Sequence, residues 1–237
     1  MKLKKIASLM LAGIMAVSML TACGDNTVND PEQPNQPVEP TPAGYSSVLG
    51  DALVAENVVN RKVHMQDSKD LNAALKTAME FAGEDIVNNM YDWADANMPV
   101  YTIPSDRYAI ELVASKLVDV MDSVNDDGDW DSEDAIANLY ATEGNHDKDL
   151  NVTMLYVVND GVSVNAALEY IAAEISDAVA ALDIDYDNVV IGDFWGDQKA
   201  EVEYDYTGSV SADSIKLDAN HGKGLTFIAV QITRTVV

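Results

Sequence analysis

Cysteine is nearly absent from this chain: Cys23 is the only one among 237 residues. A single cysteine forms no internal disulfide and builds neither a zinc thiolate site nor an iron–sulfur cluster. Basic residues are scarce as well, with 14 Lys and Arg against 40 Asp and Glu and a formal net charge of −26. A surface of that sign repels phosphate backbones and anionic headgroups, which argues against nucleic acid as a partner. The three histidines, His64, His146 and His221, are far apart, so no His-x-x-x-His pair supports zinc. There is no Gly-x-Ser-x-Gly elbow, no phosphate-cradling glycine loop and no His-Glu-x-x-His helix. Beyond Leu20, no apolar run is long enough to span a bilayer.

What is present begins at the first residue. Lys2, Lys4 and Lys5 make a basic start, and Ile6 to Leu20 is an apolar run interrupted only by Ser8, Gly13 and Ser18. That pattern is a secretory signal rather than a spanning helix. Leu20-Thr21-Ala22-Cys23 follows, and then Gly24. The quartet resembles the lipobox of bacterial lipoproteins. In that family the cysteine is acylated on sulfur and becomes the first residue of the mature chain. The resemblance implies that residues 1–22 are a signal peptide and that Cys23 is the lipid-attachment residue. It also implies that the chain is held on the outer side of a bacterial cell membrane through that lipid. Acylation would consume the one thiol and leave no cysteine nucleophile. Stable attachment takes about two acyl chains, at ~0.8 kcal/mol per buried methylene, and a diacylglyceryl group supplies two.

Residues 23–44 read as the attachment cysteine plus a spacer. Pro31, Pro34, Pro37, Pro40 and Pro42 recur among Glu, Gln, Asn and Thr. So little apolar surface cannot form a core, and proline at this density favours extended polyproline geometry. Residues 45–237 then read as one acidic globular domain, long enough to bury a core without disulfides.

Within that domain the apolar spacing sets the expected elements. Val48, Leu49, Leu53 and Val54 suit a short helix, and the alternation through Val59, Arg61, Val63 and Met65 suits a strand. Ser68 is placed to cap a helix whose stripe runs Leu71, Ala74, Leu75, Ala78, Ala82, Ile86, Met90 and Trp93, ending near Asn97. Pro104-Ser105-Asp106 opens a second helix with Ile110, Val113, Leu117, Val120, Met121 and Val124 in line. A shorter helix passes through Ile136 and Leu139. Leu150 to Val158 reads as a strand buried on both faces. Val164 to Leu182 reads as an amphipathic helix, and Val189 to Ile191 as a short strand completing a right-handed crossover. Then Ala200, Val202, Tyr204 and Tyr206 alternate with Glu201, Glu203, Asp205 and Thr207, a strand with one wet side. Gly208 and Asn220-His221-Gly222 are turn chemistry, and Leu225 to Val237 is a terminal strand. Helices come early and antiparallel strands late. The expected class is α+β, with amphipathic helices on a mixed, mainly antiparallel sheet and one strand–helix–strand crossover.

Three polar strings are candidates for chemistry. Asn125, Asp127, Asp129 and Asp131 crowd oxygen ligands around Gly128, which is the chemistry of a calcium loop. The EF-hand register fails, because it would put Ser123 first and Asp134 twelfth. The competing reading is an acidic loop whose aspartates favour the start of the next helix. Asp193, Trp195 and Asp197 place an aromatic ring between carboxylates, the arrangement that stacks on a sugar face and accepts from its hydroxyls. The competing reading is that Phe194 and Trp195 plug the end of the sheet. Glu143, Asn145, His146, Asp147 and Asp149 form a polar loop in which His146 reads as an ordinary loop histidine.

The leading expectation is a non-catalytic envelope lipoprotein that binds a ligand, a glycan or another envelope protein. One alternative is a carboxylate-dependent hydrolase of cell-wall or host glycans, which needs two carboxylates at a set separation. Another is a structural subunit of a surface assembly, joined by strand addition through its terminal strand. Calcium is the one cofactor with any local support. The cysteine count yields a first test. The mature chain, denatured and reduced, should take up no maleimide, whereas the unprocessed precursor should take up one. A maleimide-reactive mature chain would remove the lipid from the account.

Overall fold

A computed structural model describes residues 44–56, 58, 62–90, 100–102, 108–125, 132–140, 145–191, 198–218 and 223–237. Cys23 and the proline segment lie outside these residues. Thr41–Val237 forms one compact unit. In chain order its elements are α1 (Tyr45–Ala55), β1 (Val63–Met65), α2 (Lys69–Asn89), β2 (Tyr101–Thr102), α3 (Tyr108–Met121) and α4 (Ser132–Ala137). They continue with β3 (Leu150–Asn159), α5 (Val164–Ala181), β4 (Asp185–Ile191), β5 (Gln198–Asp218) and β6 (Lys223–Val236).

The strands form one sheet in the order β1-β5-β6-β3-β2, with β4 paired to the start of β5. Among the described residues only β1 on β5 is parallel; the other pairings are antiparallel. The class is α+β with a mixed, mainly antiparallel sheet, as expected. The strand–helix–strand unit is present as β3-α5-β4. Its strands run in opposite directions with β6 and β5 between them, so the handedness rule for parallel crossovers does not govern it.

Side-chain alternation on β3 explains the layers. Val152, Met154, Tyr156 and Val158 pack with α1, α4 and α5 on one face. Leu155 and Val157 pack with α2 and α3 on the other. Successive residues of a strand point to opposite faces, so a strand apolar at both parities needs helices on both sides. The helix ends follow their caps. The Ser68 hydroxyl accepts from Leu71 N at 3.1 Å, and the Ser163 hydroxyl accepts from Ala166 N at 3.3 Å. The stripe residues Leu71, Ala74, Leu75, Ala78, Ala82, Ile86 and Met90 of α2 are all buried. Met79 is buried with them and Met154 on the opposite face, both as filler.

Several details differ from the expectation. Helix α2 ends at Asn89 rather than near Asn97, with Met90 N still donating to Ile86 O at 3.0 Å. Asparagine is a poorer helix former than alanine or leucine, so the pair at 88–89 is a weak place to continue a helix; Trp93 and Asn97 lie outside the described residues. Val120 is 42% exposed, off the buried stripe of α3. Strand β4 begins at Asp185, well before Val189. Gly208 is no turn. It sits inside β5, opposite Ile232 on one side and Met65 on the other. A Cβ there would come within 2.8 Å of Val63 Cγ1, so the absent side chain is what lets β1 close on β5. Strand β6, finally, is paired along its length with β5 and with β3. It has no free edge, so strand addition through the terminal strand has nothing to pair with.

The core makes a direct prediction. Phe227 is fully buried and Phe81 is 61% exposed. Phe227→Ala should lower the unfolding free energy by about 3–5 kcal/mol in denaturant melts. Phe81→Ala should change it by less than about 1 kcal/mol.

Candidate functional site

The helix pair α2–α3 covers only part of its face of the sheet. On that face Leu155, Ala229, Phe227 and Leu225 belong to the apolar cluster under the helices. Further along the same strands the residues turn polar. The register puts Thr207, Thr233 and Asn151 side by side across β5, β6 and β3, and Ser209, Gln231 and Thr153 in the adjacent row. Ser211 lies in the next row, beside Ala229 and Leu155. Neighbouring strands are about 4.8 Å apart and same-face residues about 6.6–7 Å apart along a strand, so the six side chains form one compact block.

The block has an anchored side and an open side. Ser123, just beyond α3, donates to Asn151 Oδ1 at 2.6 Å and lies 2.7 Å from the Thr153 hydroxyl. Asn151 Nδ2 donates to the carbonyls of Met121 and Asp122, and Gln231 Nε2 donates to Asn151 Oδ1 at 3.2 Å. Asn125 closes this edge. Its Oδ1 accepts from Thr153 N at 3.0 Å and its Nδ2 donates to Thr153 O at 3.1 Å, as a neighbouring strand would. Across the block, the hydroxyls of Thr207, Ser209 and Thr233 and the Gln231 Oε1 make no hydrogen bond among the described residues. Ser209 is 7% exposed and Gln231 is 8% exposed.

A second cluster surrounds Arg234, which is fully buried. Its Nη1 donates to Leu139 O at 2.8 Å, and its Nη2 donates to Lys148 O at 3.1 Å and to Asn145 O. The guanidinium carbon lies 4.5 Å from the centre of the Tyr204 ring. The Tyr204 hydroxyl donates to His146 O at 3.0 Å, and the Tyr206 hydroxyl donates to Asp183 O at 2.7 Å. His146 stacks on Tyr186 at 4.9 Å between ring centres. Burial raises the Tyr206 hydroxyl well above its ordinary value, with Arg234 pulling the other way; burial likewise raises Tyr204 against the pull of Arg234. These contacts fasten the 145–148 turn and the end of α4 to the sheet. The Nη donors of Arg234 are spent on carbonyl dipoles, while its buried Nε has no hydrogen-bond partner among the described residues.

A cleft of about 260 Å³ lies where α1 and β1 meet the end of α5, with Leu53, Val58, Lys62, His64 and Met65 in its walls. Lys62 Nζ donates to Ala180 O and Leu182 O, both at 2.7 Å, so its charge closes the C-terminus of α5.

Asn125 is the one member of the calcium string among the described residues, and its amide serves the edge of β3. Asp127, Asp129 and Asp131 lie outside them, as do Asp193, Trp195 and Asp197. Among the described residues, no group of three or more His, Cys, Asp or Glu is placed to hold a metal ion. Sequence reasoning found the wet side of β5, and Glu201, Glu203 and Asp205 are exposed while Tyr204 and Tyr206 are buried. It missed the six-residue block, whose members come from three strands far apart in the chain. It also missed Arg234, which reads as an ordinary residue of a terminal strand. Comparison with protein families, curated proteins and solved structures finds no match.

The buried tyrosines make stability depend on alkaline pH. The unfolded chain releases the Tyr206 proton near pH ~10, while the folded chain holds it to higher pH. The stabilisation is complete below that pH and falls as pH rises through it. Urea unfolding between about pH 8 and about pH 11 should show stability falling with pH. Tyr206→Phe should flatten that fall and cost about 1 kcal/mol at neutral pH, by leaving the Asp183 carbonyl unpaired. An unchanged slope would place the effect elsewhere.

Proposed function

We propose that this chain is a membrane-anchored extracytoplasmic lipoprotein acting as a non-catalytic binding or interaction module at a bacterial cell envelope. The observation that carries the reading is Leu20-Thr21-Ala22-Cys23, placed between an apolar run and a proline-rich spacer. Among the described residues no helix is long and apolar enough to cross a membrane. That supports attachment by lipid on Cys23, where two acyl chains suffice. The module's support is chemical. The block on β5, β6 and β3 offers neutral hydrogen-bonding groups left unpaired within the described residues. The buried charge of Arg234 holds backbone carbonyls instead of poising an acid or a base.

Fractionation tests the reading. The native chain should sediment with membranes and be cut by protease added to intact spheroplasts. Cys23→Ser should abolish the lipid and leave the chain unprocessed or soluble. A native chain found in the cytosol, uncleaved and protease-protected, would sink the proposal.

A further inference from the structure

We propose that Asn151, Thr153, Thr207, Ser209, Gln231 and Thr233 form a binding site for an uncharged polyhydroxylated ligand, the chemistry of a saccharide. The inference rests on the reading of the chain as a binding module and names what the module takes.

The first argument is hydrogen-bond accounting. Polar groups that face solvent on a sheet and have no protein partner are open to a ligand, which replaces the water on them at little cost. Here the hydroxyls of Thr207, Ser209 and Thr233 and the Gln231 Oε1 are contiguous across β5 and β6, and none has a partner among the described residues. Gln231 and Ser209 are largely buried as residues, but neither open oxygen is among the buried atoms that lack a partner, so both reach the solvent side of the block. Water can serve such groups one at a time. A ligand with hydroxyls spaced along a ring serves several at once and releases that water.

The second argument is preorganisation. Asn151 and Thr153 are held by Ser123 and Asn125, and Gln231 is oriented through its Nε2 bond to Asn151. The open oxygen of Gln231 is therefore aimed before any ligand arrives, which lowers the ordering cost of binding.

The third argument is charge. All six residues are neutral, in a chain whose net charge is −26. The next row of the sheet carries Asp205 beside Thr235. Asp149, whose Oδ1 accepts from Val236 N at 2.8 Å, closes the same end. An anionic ligand would meet that acidity without a cation in the block to offset it. A metal ion would find amides and hydroxyls without a carboxylate cluster. A flat apolar ligand would find no aromatic floor. Neutral hydroxyls match the donors and acceptors on offer.

The test uses the full-length chain in a zwitterionic detergent, because sugar-headed detergents would compete. Cellotetraose, maltotetraose and chitotetraose are titrated separately and followed by amide chemical shifts. At least one should bind with a Kd between about 1 mM and about 1 μM, moving the amides of residues 207–211 and 229–233. The double variant Ser209→Val, Gln231→Leu should weaken that binding at least about tenfold. Valine and leucine suit a half-buried strand, and an unchanged unfolding midpoint would show that the fold is intact. Thr77→Ala, on the exposed side of α2, should bind as the native chain does. Three results overturn the proposal: none of the sugars binds, binding survives the double variant, or inorganic phosphate binds the block in their place. Membrane fractionation of the double variant keeps the two readings apart. A variant that loses sugar but stays on the membrane fails neither, and a native chain that binds sugar in the cytosol fails only the anchor.

Discussion

The double-sided burial of the central strands is the constraint on which the rest of the fold depends. β3 and β6 carry apolar residues at both parities, so each needs cover on both faces. α1, α4 and α5 supply one layer and α2 and α3 the other. With no disulfide to assist, the stability of the domain must come from this burial, at about 1.5–3 kcal/mol for each fully buried Val, Leu, Ile or Phe. The same arrangement puts β6 at the centre, where its backbone is used on both edges.

The apolar cover is not uniform, and its unevenness defines the chemistry. Under α2 and α3 the face is Leu155, Phe227 and Ala229; past them it becomes Thr153, Gln231 and Ser209. Opposite that face, at the same end of the sheet, Arg234 and Tyr206 are buried. A buried cation would be costly if it were not surrounded by acceptors. Three backbone carbonyls and the Tyr204 ring fill that role and fix the 145–148 turn in place. One end of the sheet is thus rigid on one face and hydrogen-bonding on the other.

Much of the fold was legible because it rests on local signals. Ser68 caps the helix it was placed to cap, and Val152 to Val158 is buried on both sides. The alternation of Tyr204 and Tyr206 with Glu203 and Asp205 set the inner and wet sides of β5. The misreadings share a cause. Gly208 looks like a turn because glycine is the usual turn residue; here its small size accommodates Val63 and Met65 from a strand some 140 residues earlier in the chain. The crossover looked parallel because local order does not say how many strands α5 passes over.

The candidate site was hardly legible, because none of its six residues is unusual by itself. Periodicity, capping and short motifs depend on neighbours in sequence, and they carried the class and the lipobox-like start, while composition carried the acidity and the lack of disulfides. Strand order and register depend on which distant segments bury each other most completely. Only that global packing brought Thr207, Gln231 and Asn151 into one block, turned Arg234 inward, and denied the last strand a free edge.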